Sequence, residues 1–199
     1  MLELRPVQLD FTPSQKAQAF ALINRDARPA VIQIRPFHWS QGPTGEDQLE
    51  PTEDLIVSPP FVQLGPGESQ VVRVKYLGPD PPAEAAYRLL VDQLPIATAP
   101  GIRTALCLSM PAFVAPTMLK PAQIAWIWTQ GVDGARVLTV INSGGSHAMV
   151  ADLKVNGPAG EPFGPPKSGS AYILGGVTRQ WRIAPPPKTL PPTRVAGAP

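Results

Sequence analysis

Apolar and polar residues alternate with a period of two along much of this 199-residue chain, the spacing of strands that bury one face. Val7, Leu9 and Phe11 alternate with Gln8 and Asp10 behind Pro6, which predicts a first strand. Ala17–Ile23 and Ala30–Phe37 predict two more, the latter with Ile32 and Ile34 facing opposite to Val31, Gln33 and Arg35. His38-Trp39-Ser40 is expected to end that strand, and Gln41–Gln48 to form a polar loop. Leu55–Val57 and Val71–Tyr76 are separated by Ser58-Pro59-Pro60 and the turn Gly65-Pro66-Gly67. Proline lacks an amide proton and has a fixed φ, so Pro59-Pro60 ends one ladder and forces an edge or a crossover. Phe61, Val62 and Leu64 carry apolar surface across the gap.

Tyr87–Leu94 reads as a strand, with Ala83–Ala86 as an alternative short helical turn before it. Ile102–Val114, bounded by Gly101 and Pro116, is the longest β-run. Beyond the hinge-like stretch 117–121 come five short runs: Ile124–Trp128, Ala135–Ile141, Ala148–Val155, Ala171–Leu174 and Arg179–Ile183. No segment has a convincing helical periodicity. The expected fold is all-β, two immunoglobulin-like β-sandwich domains set at an angle, over residues 1–116 and the smaller 122–184. Residues 185–199 lose periodicity and are expected to be a Pro-rich, disordered tail.

Composition supports this picture and removes some functions. The 27 prolines and 17 glycines favour short strands and many turns. A net charge of +2 is too weak to argue for a nucleic-acid partner, although 1–116 holds 9 Lys/Arg against 12 Asp/Glu and 117–199 holds 8 against 3. Cys107 is the only cysteine, so no intramolecular disulfide exists, and it is expected to be a small buried hydrophobe. No apolar run approaches the about 20 residues that span a bilayer, so membrane insertion is not expected. No signal-peptide pattern is visible, since Met1 leads almost at once into a strand.

Catalytic chemistry is hard to assemble. His38 and His147 lie in different halves, with no HExxH, paired CxxC or GxSxG motif, so no cofactor or metal is expected. The cluster Glu46-Asp47, Glu50, Glu53-Asp54 lacks the spacing of a calcium loop and reads as solvated surface. Binding remains. In Ile102–Val114 the large side chains Leu106, Leu108 and Met110 alternate with Ala105, Cys107 and Ser109. That pattern fits a central strand with its large side in the core, and it also fits a strand lent to another chain.

Several segments in order resemble the periplasmic pilus-assembly chaperones of the chaperone–usher pathway, the PapD-like family. They are Ser58-Pro59-Pro60, Leu64-Gly65-Pro66-Gly67-Glu68-Ser69-Gln70-Val71-Val72-Arg73-Val74, Tyr87-Arg88-Leu89-Leu90-Val91-Asp92-Gln93-Leu94-Pro95, Leu138–Gly145, and Tyr172–Gly176 with Trp181. Phe37–Gln41, Leu49–Leu55 and the short link from Pro95 to Ile102 resemble the archaic, spore-coat-U-type branch. The sequence alone leaves a cytosolic protein and one whose leader has been removed both open, and the resemblance implies a non-enzymatic periplasmic protein, a signal peptide presumed absent from this chain. Such a protein caps pilus subunits by donor-strand complementation and delivers them to an outer-membrane usher.

It also implies a donor strand including Arg103, Thr104, Leu106, Leu108 and Met110, the large side chains facing the client, and a first-strand edge at Val7 and Leu9. Weak self-association through an exposed edge is a further expectation. The better-known branch anchors the client's terminal carboxylate with an Arg and a Lys, where this chain has Gln8 and Pro111. Arg88 and Arg5 are the candidate substitutes, and Arg88 alternatively pairs with Asp92 or Glu84 inside the chain. A competing reading is a structural or adhesive immunoglobulin-like module of a surface assembly.

Overall fold

A computed structural model describes residues 1–95, 106–130, 136–150 and 171–183. Among these residues every regular element is a strand. The strands are β1 (Leu2–Arg5), β2 (Leu9–Phe11), β3 (Ala17–Asn24), β4 (Ala30–Gln41), β5 (Asp47–Pro51), β6 (Leu55–Ser58), β7 (Phe61–Leu64), β8 (Ser69–Tyr76), β9 (Ala85–Leu94) and β10 (Cys107–Val114). They are followed by β11 (Ile124–Gln130), β12 (Arg136–Asn142), β13 (Ala148–Val150), β14 (Ala171–Ile173) and β15 (Thr178–Ile183).

The first ten strands form two facing sheets. One is four-stranded in the order β1-β3-β8-β6; the other runs β2-β10-β9-β4-β5, with β7 also pairing β4. Alternation decides which side chains lie between them. Phe20 and Leu22 of β3 and Val72 and Val74 of β8 meet Ile32 and Ile34 of β4, Leu89 and Val91 of β9, and Met110 of β10. Fully burying each such side chain contributes roughly 1.5–3 kcal/mol, so this shared layer dominates the stability of the sandwich.

The N-terminal segment is divided between the sheets. β1 pairs antiparallel with β3, and after Pro6 the chain crosses so that β2 pairs parallel with β10. Beyond residue 120, β11-β12-β15 form a three-stranded sheet and β13-β14 a two-stranded one. Among the described residues no strand of this second group shares a ladder with the first.

Several sequence expectations are corrected. β1, β5 and β7 are strands, and β9 begins at Ala85 with no helical turn before it. β4 continues through His38-Trp39-Ser40 to Gln41, because β5 supplies a ladder partner for Phe37–Gln41 on one side. Cys107 is exposed, not buried, because it projects from the outer face of β10. The tail at 185–199, the start of the long run at 102–105 and residues 151–155 lie outside the described residues.

A turn device recurs in both groups: the sequence marks Asn24-Arg25-Asp26 as the close of a strand, but not the role that Asn24 shares with Asn142. Asn24 at the end of β3 is buried; its Nδ2 donates to the Arg28 and Leu64 carbonyls (2.8 and 3.2 Å), and its Oδ1 accepts from the Asp26 N–H (3.0 Å). Asn142 at the end of β12 does the same with Ser146 and Ile173 (2.8 and 3.1 Å) and the Gly144 N–H (3.0 Å). Each asparagine N–H also bonds a crossing turn, at Glu68 and Val177, both 2.9 Å. Those turns close by Glu68 N–H to Gly65 and Val177 N–H to Leu174, and hold Gly67 and Gly176 at φ +75° and +74°. Positive φ at the third turn position is what makes glycine the residue there.

Replacing either asparagine by alanine strands several buried carbonyls and amides, which costs about 2 kcal/mol. Asn24→Ala and Asn142→Ala are each expected to lower unfolding free energy by about that amount in urea titrations. A change under about 0.5 kcal/mol in both would contradict the assigned role.

Candidate functional site

β10 is only partly enclosed. β9 pairs with all of it, Cys107↔Asp92 through Val114↔Ala85, whereas β2 covers only Ala112–Val114. The other side of Cys107–Pro111 therefore has no strand beside it among the described residues. The Gln93 N–H donates to the Leu106 carbonyl at 2.8 Å, so even-numbered residues direct their backbone groups at β9. Odd-numbered residues direct theirs away, consistent with the Ala115 N–H donating to Phe11 across the β2 side at 2.9 Å. The open edge thus presents the N–H and C=O of Cys107 and Ser109, while the C=O of Pro111 faces the start of β2 at Leu9. Pro111 fits here because its missing N–H falls on the side with no partner.

The side chains follow the same alternation. Leu106 and Leu108 are half-buried at the mouth of the sandwich and pack against its core. Met110 is 1% exposed and lies inside that core, opposite Leu89. The expectation that all three large side chains face outward is corrected for Met110, since even positions of β10 point between the sheets. Leu9 is buried beside Ala112, and Val7, 73% exposed, lies outside any strand. Arg103 and Thr104 lie outside the described residues. On the outer face, partial desolvation and the neighbouring Asp92 carboxylate push the Cys107 thiol above its ordinary range, so it stays protonated.

Arg88 projects from that outer face, directly across the ladder from Pro111 on one side and Phe37 on the other. Its guanidinium lies 3.7 Å from the Trp39 ring centroid and 5.3 Å from that of Tyr172. Burial pushes its pKa down, while the Asp47 carboxylate opposes the shift; an arginine remains charged regardless. The alternative pairing with Asp92 or Glu84 does not occur. Asp92 binds Arg35 at 2.8 Å, and Glu84 accepts from the His147 N–H and meets its Nδ1 at 2.6 and 2.7 Å. None of the ion pairs among the described residues includes Arg88.

Arg5 is a poorer candidate. It sits at the end of β1 in the opposite sheet and already pairs with Glu3, which also holds Arg25.

Beside Arg88 the second group of strands packs on the outer face of the first. Trp39, Ala86 and Phe113 bury against Leu174, with Tyr172 and Val177 alongside. His147 stacks on Phe113 at 3.6 Å with the rings 9° from parallel, beside its bonds to Glu84. The sequence reading missed Trp39, Tyr172 and Gln41 as site residues. The available signal was the period-two series Arg35, Phe37, Trp39, Gln41, which places all four on the outer face of β4.

A family model, the pili and flagellar-assembly chaperone PapD N-terminal domain, matches residues 1–120. Among solved structures, the CsuC–CsuE chaperone–tip adhesion subunit complex of Acinetobacter baumannii aligns with TM-score 0.74 and 23% identity, covering 95% of this chain and 90% of that one. The E. coli chaperone DraB aligns with TM-score 0.66 and 19% identity over 93% and 85%. The Salmonella enterica SafB chaperone, in complex with SafA pilin, gives 0.63 and 14% over 92% and 84%. These likenesses establish the PapD-like fold. A search of curated proteins finds no match. With its open-edged sandwich matched by the PapD N-terminal model, the chain belongs to the pili and flagellar-assembly chaperones.

Proposed function

We propose that the chain is a periplasmic chaperone that binds pilus subunits along the open edge of β10 and passes them to an outer-membrane usher. The observation that carries this reading is the edge itself. Cys107–Pro111 are held straight by β9, yet the outward backbone groups of Cys107 and Ser109 lack a strand partner among the described residues. A pilus subunit that lacks one strand offers a complementary row of backbone groups and an apolar groove. Strand addition satisfies both, and Leu106 and Leu108 at the sandwich mouth bring apolar surface to the same seam. No reacting group is needed, because burial and backbone hydrogen bonds supply the free energy.

Arg88 fits the second part of this reading, an anchor for the subunit's terminal carboxylate. It lies across the ladder from Pro111, and cross-strand neighbours project from the same face, so a cation reaches the region of the absent lysine. A partly buried guanidinium with no paired carboxylate among the described residues favours an incoming one in bidentate geometry. Residues 1–116 and 122–184 serve as the two domains, with 117–121 as the hinge and the anchor at their junction. The tip-adhesin complex of the Acinetobacter chaperone and the pilin complex of SafB support the partner class.

Co-expression with a pilus subunit from the same gene neighbourhood is expected to give a stable one-to-one complex. The double substitution Leu106→Glu and Leu108→Glu should abolish it while leaving the chain folded by circular dichroism. A folded double variant that still binds would sink the strand-donation reading. Ser109→Pro removes one outward N–H and leaves the β9 ladder intact, as Pro111 already does. It is expected to weaken the complex about 3- to 10-fold by titration calorimetry, the worth of one hydrogen bond. Undiminished affinity would show that the Ser109 backbone makes no bond to the subunit.

A further inference from the structure

The anchor reading leaves open what fixes a long arginine side chain in one orientation, and the answer lies in the other half of the molecule. The Trp39 ring, beneath the Arg88 guanidinium, belongs to the same sheet as Arg88, but Tyr172 belongs to β14. Tyr172 meets Trp39 edge-on, with centroids 5.6 Å apart and an interplanar angle of 85°.

Two side chains of the first sandwich hold Tyr172. The Gln41 Nε2 donates to the Tyr172 carbonyl at 3.0 Å, and its Oε1 accepts from the Leu174 N–H at 3.0 Å. One amide thereby bonds alternate backbone groups of the β14 segment, as a neighbouring strand would. The Tyr172 hydroxyl donates to Gln8 Oε1 at 3.3 Å, and Gln8 Nε2 donates to Asp10 at 2.9 Å. Gln8 occupies the position where the resemblance expected a cationic anchor, and here it braces the aromatic ring beside the substitute cation.

We propose that Tyr172 is a positioning residue for the carboxylate-binding cation Arg88, clamped across the junction by Gln41 and Gln8. The proposal rests on the reading of Arg88 as anchor and adds that the anchor is complete only when both halves of the chain are docked. A guanidinium free to sample many rotamers loses that freedom when it binds a carboxylate. Trp39 and Tyr172 restrict it beforehand, through ring-face attraction in a partly desolvated site. The ligand class is a chain-terminal carboxylate: a planar anion on a short extended segment, entering beside the open edge of β10.

The test uses the full chain, isotopically labelled, and follows the Arg88 Nε–Hε resonance, assigned with Arg88→Lys. N-acetylglycine is the probe for a terminal carboxylate and N-acetylglycinamide its uncharged control. In the wild type the acid is expected to shift the Arg88 signal saturably and the amide to leave it in place. Tyr172→Leu should weaken acid binding about 5-fold or more, and Tyr172→Phe, which keeps the ring and the Gln41 bonds and loses only the Gln8 bond, should weaken it less, by about 2-fold. Gln41→Ala, which leaves the aromatic packing untouched, should weaken it in the same direction as Tyr172→Leu, so the test survives if Tyr172→Leu fails to fold.

Wild-type affinity in Gln41→Ala together with wild-type affinity in a folded Tyr172→Leu overturns the positioning role and leaves Arg88 as anchor. If Tyr172→Leu does not fold, wild-type affinity in Gln41→Ala alone overturns it. An Arg88 signal in the wild type that ignores the acid overturns the anchor reading, and the positioning proposal with it.

Discussion

Three rungs of parallel pairing govern what this molecule is able to do. β2 runs beside β10 only at Ala112–Val114, because the N-terminal segment has already spent Leu2–Arg5 pairing with β3 in the opposite sheet. Dividing one segment between two sheets secures both ends of the sandwich. It also leaves too little chain to cover the rest of β10. Buried backbone groups must be paired, so an uncovered edge persists only where water or another chain supplies the partners. Pro111, with no N–H to satisfy, marks the boundary, and Cys107 and Ser109 beyond it expose full peptide groups.

The second constraint is the docking of β14 onto the outer face of the larger sheet. Trp39, Ala86 and Phe113 would otherwise leave an apolar patch facing water, and Leu174 and Tyr172 cover it. The contact carries polar fastenings at its margins, through Gln41 on one side and Glu84 with His147 on another. Arg88 stands where the covered part of the face gives way to the open part. On the proposed function, the site combines an edge that recognises backbone, indifferent to client sequence, with a cation that recognises a chain end.

Much of the fold was legible in the sequence because its central strands bury alternate residues. Ile32 and Ile34, Val72 and Val74, and Leu89 and Val91 each set period and face unambiguously. β5 was not legible: all five of its residues are exposed, so no alternation exists to read. The extent of β4 was misread because His38-Trp39-Ser40 looks like a strand end when only one face is considered, and Trp39 is buried by a later part of the chain. The orientation of Leu106, Leu108 and Met110 could not be read at all. Large–small alternation is identical whether the large side meets the chain's own second sheet or a partner, and only the position of that sheet decides it. The asparagine turns had a faint signal, Ile-Asn-Arg-Asp and Ile-Asn-Ser-Gly each followed later by a Gly-containing turn, but their equivalence rests on contacts 31 to 40 residues apart.

The central claim is that the outward backbone groups of β10 are open in the free chain and are filled by the subunit. Amide hydrogen exchange resolved to single residues addresses it directly. In the free chain the Cys107 and Ser109 amides should exchange much faster than those of Leu108 and Met110, which face β9. Adding a pilus subunit should slow Cys107 and Ser109 to the level of their neighbours. Protection of both amides in the free chain, or exchange that the bound subunit leaves unchanged, would contradict the account.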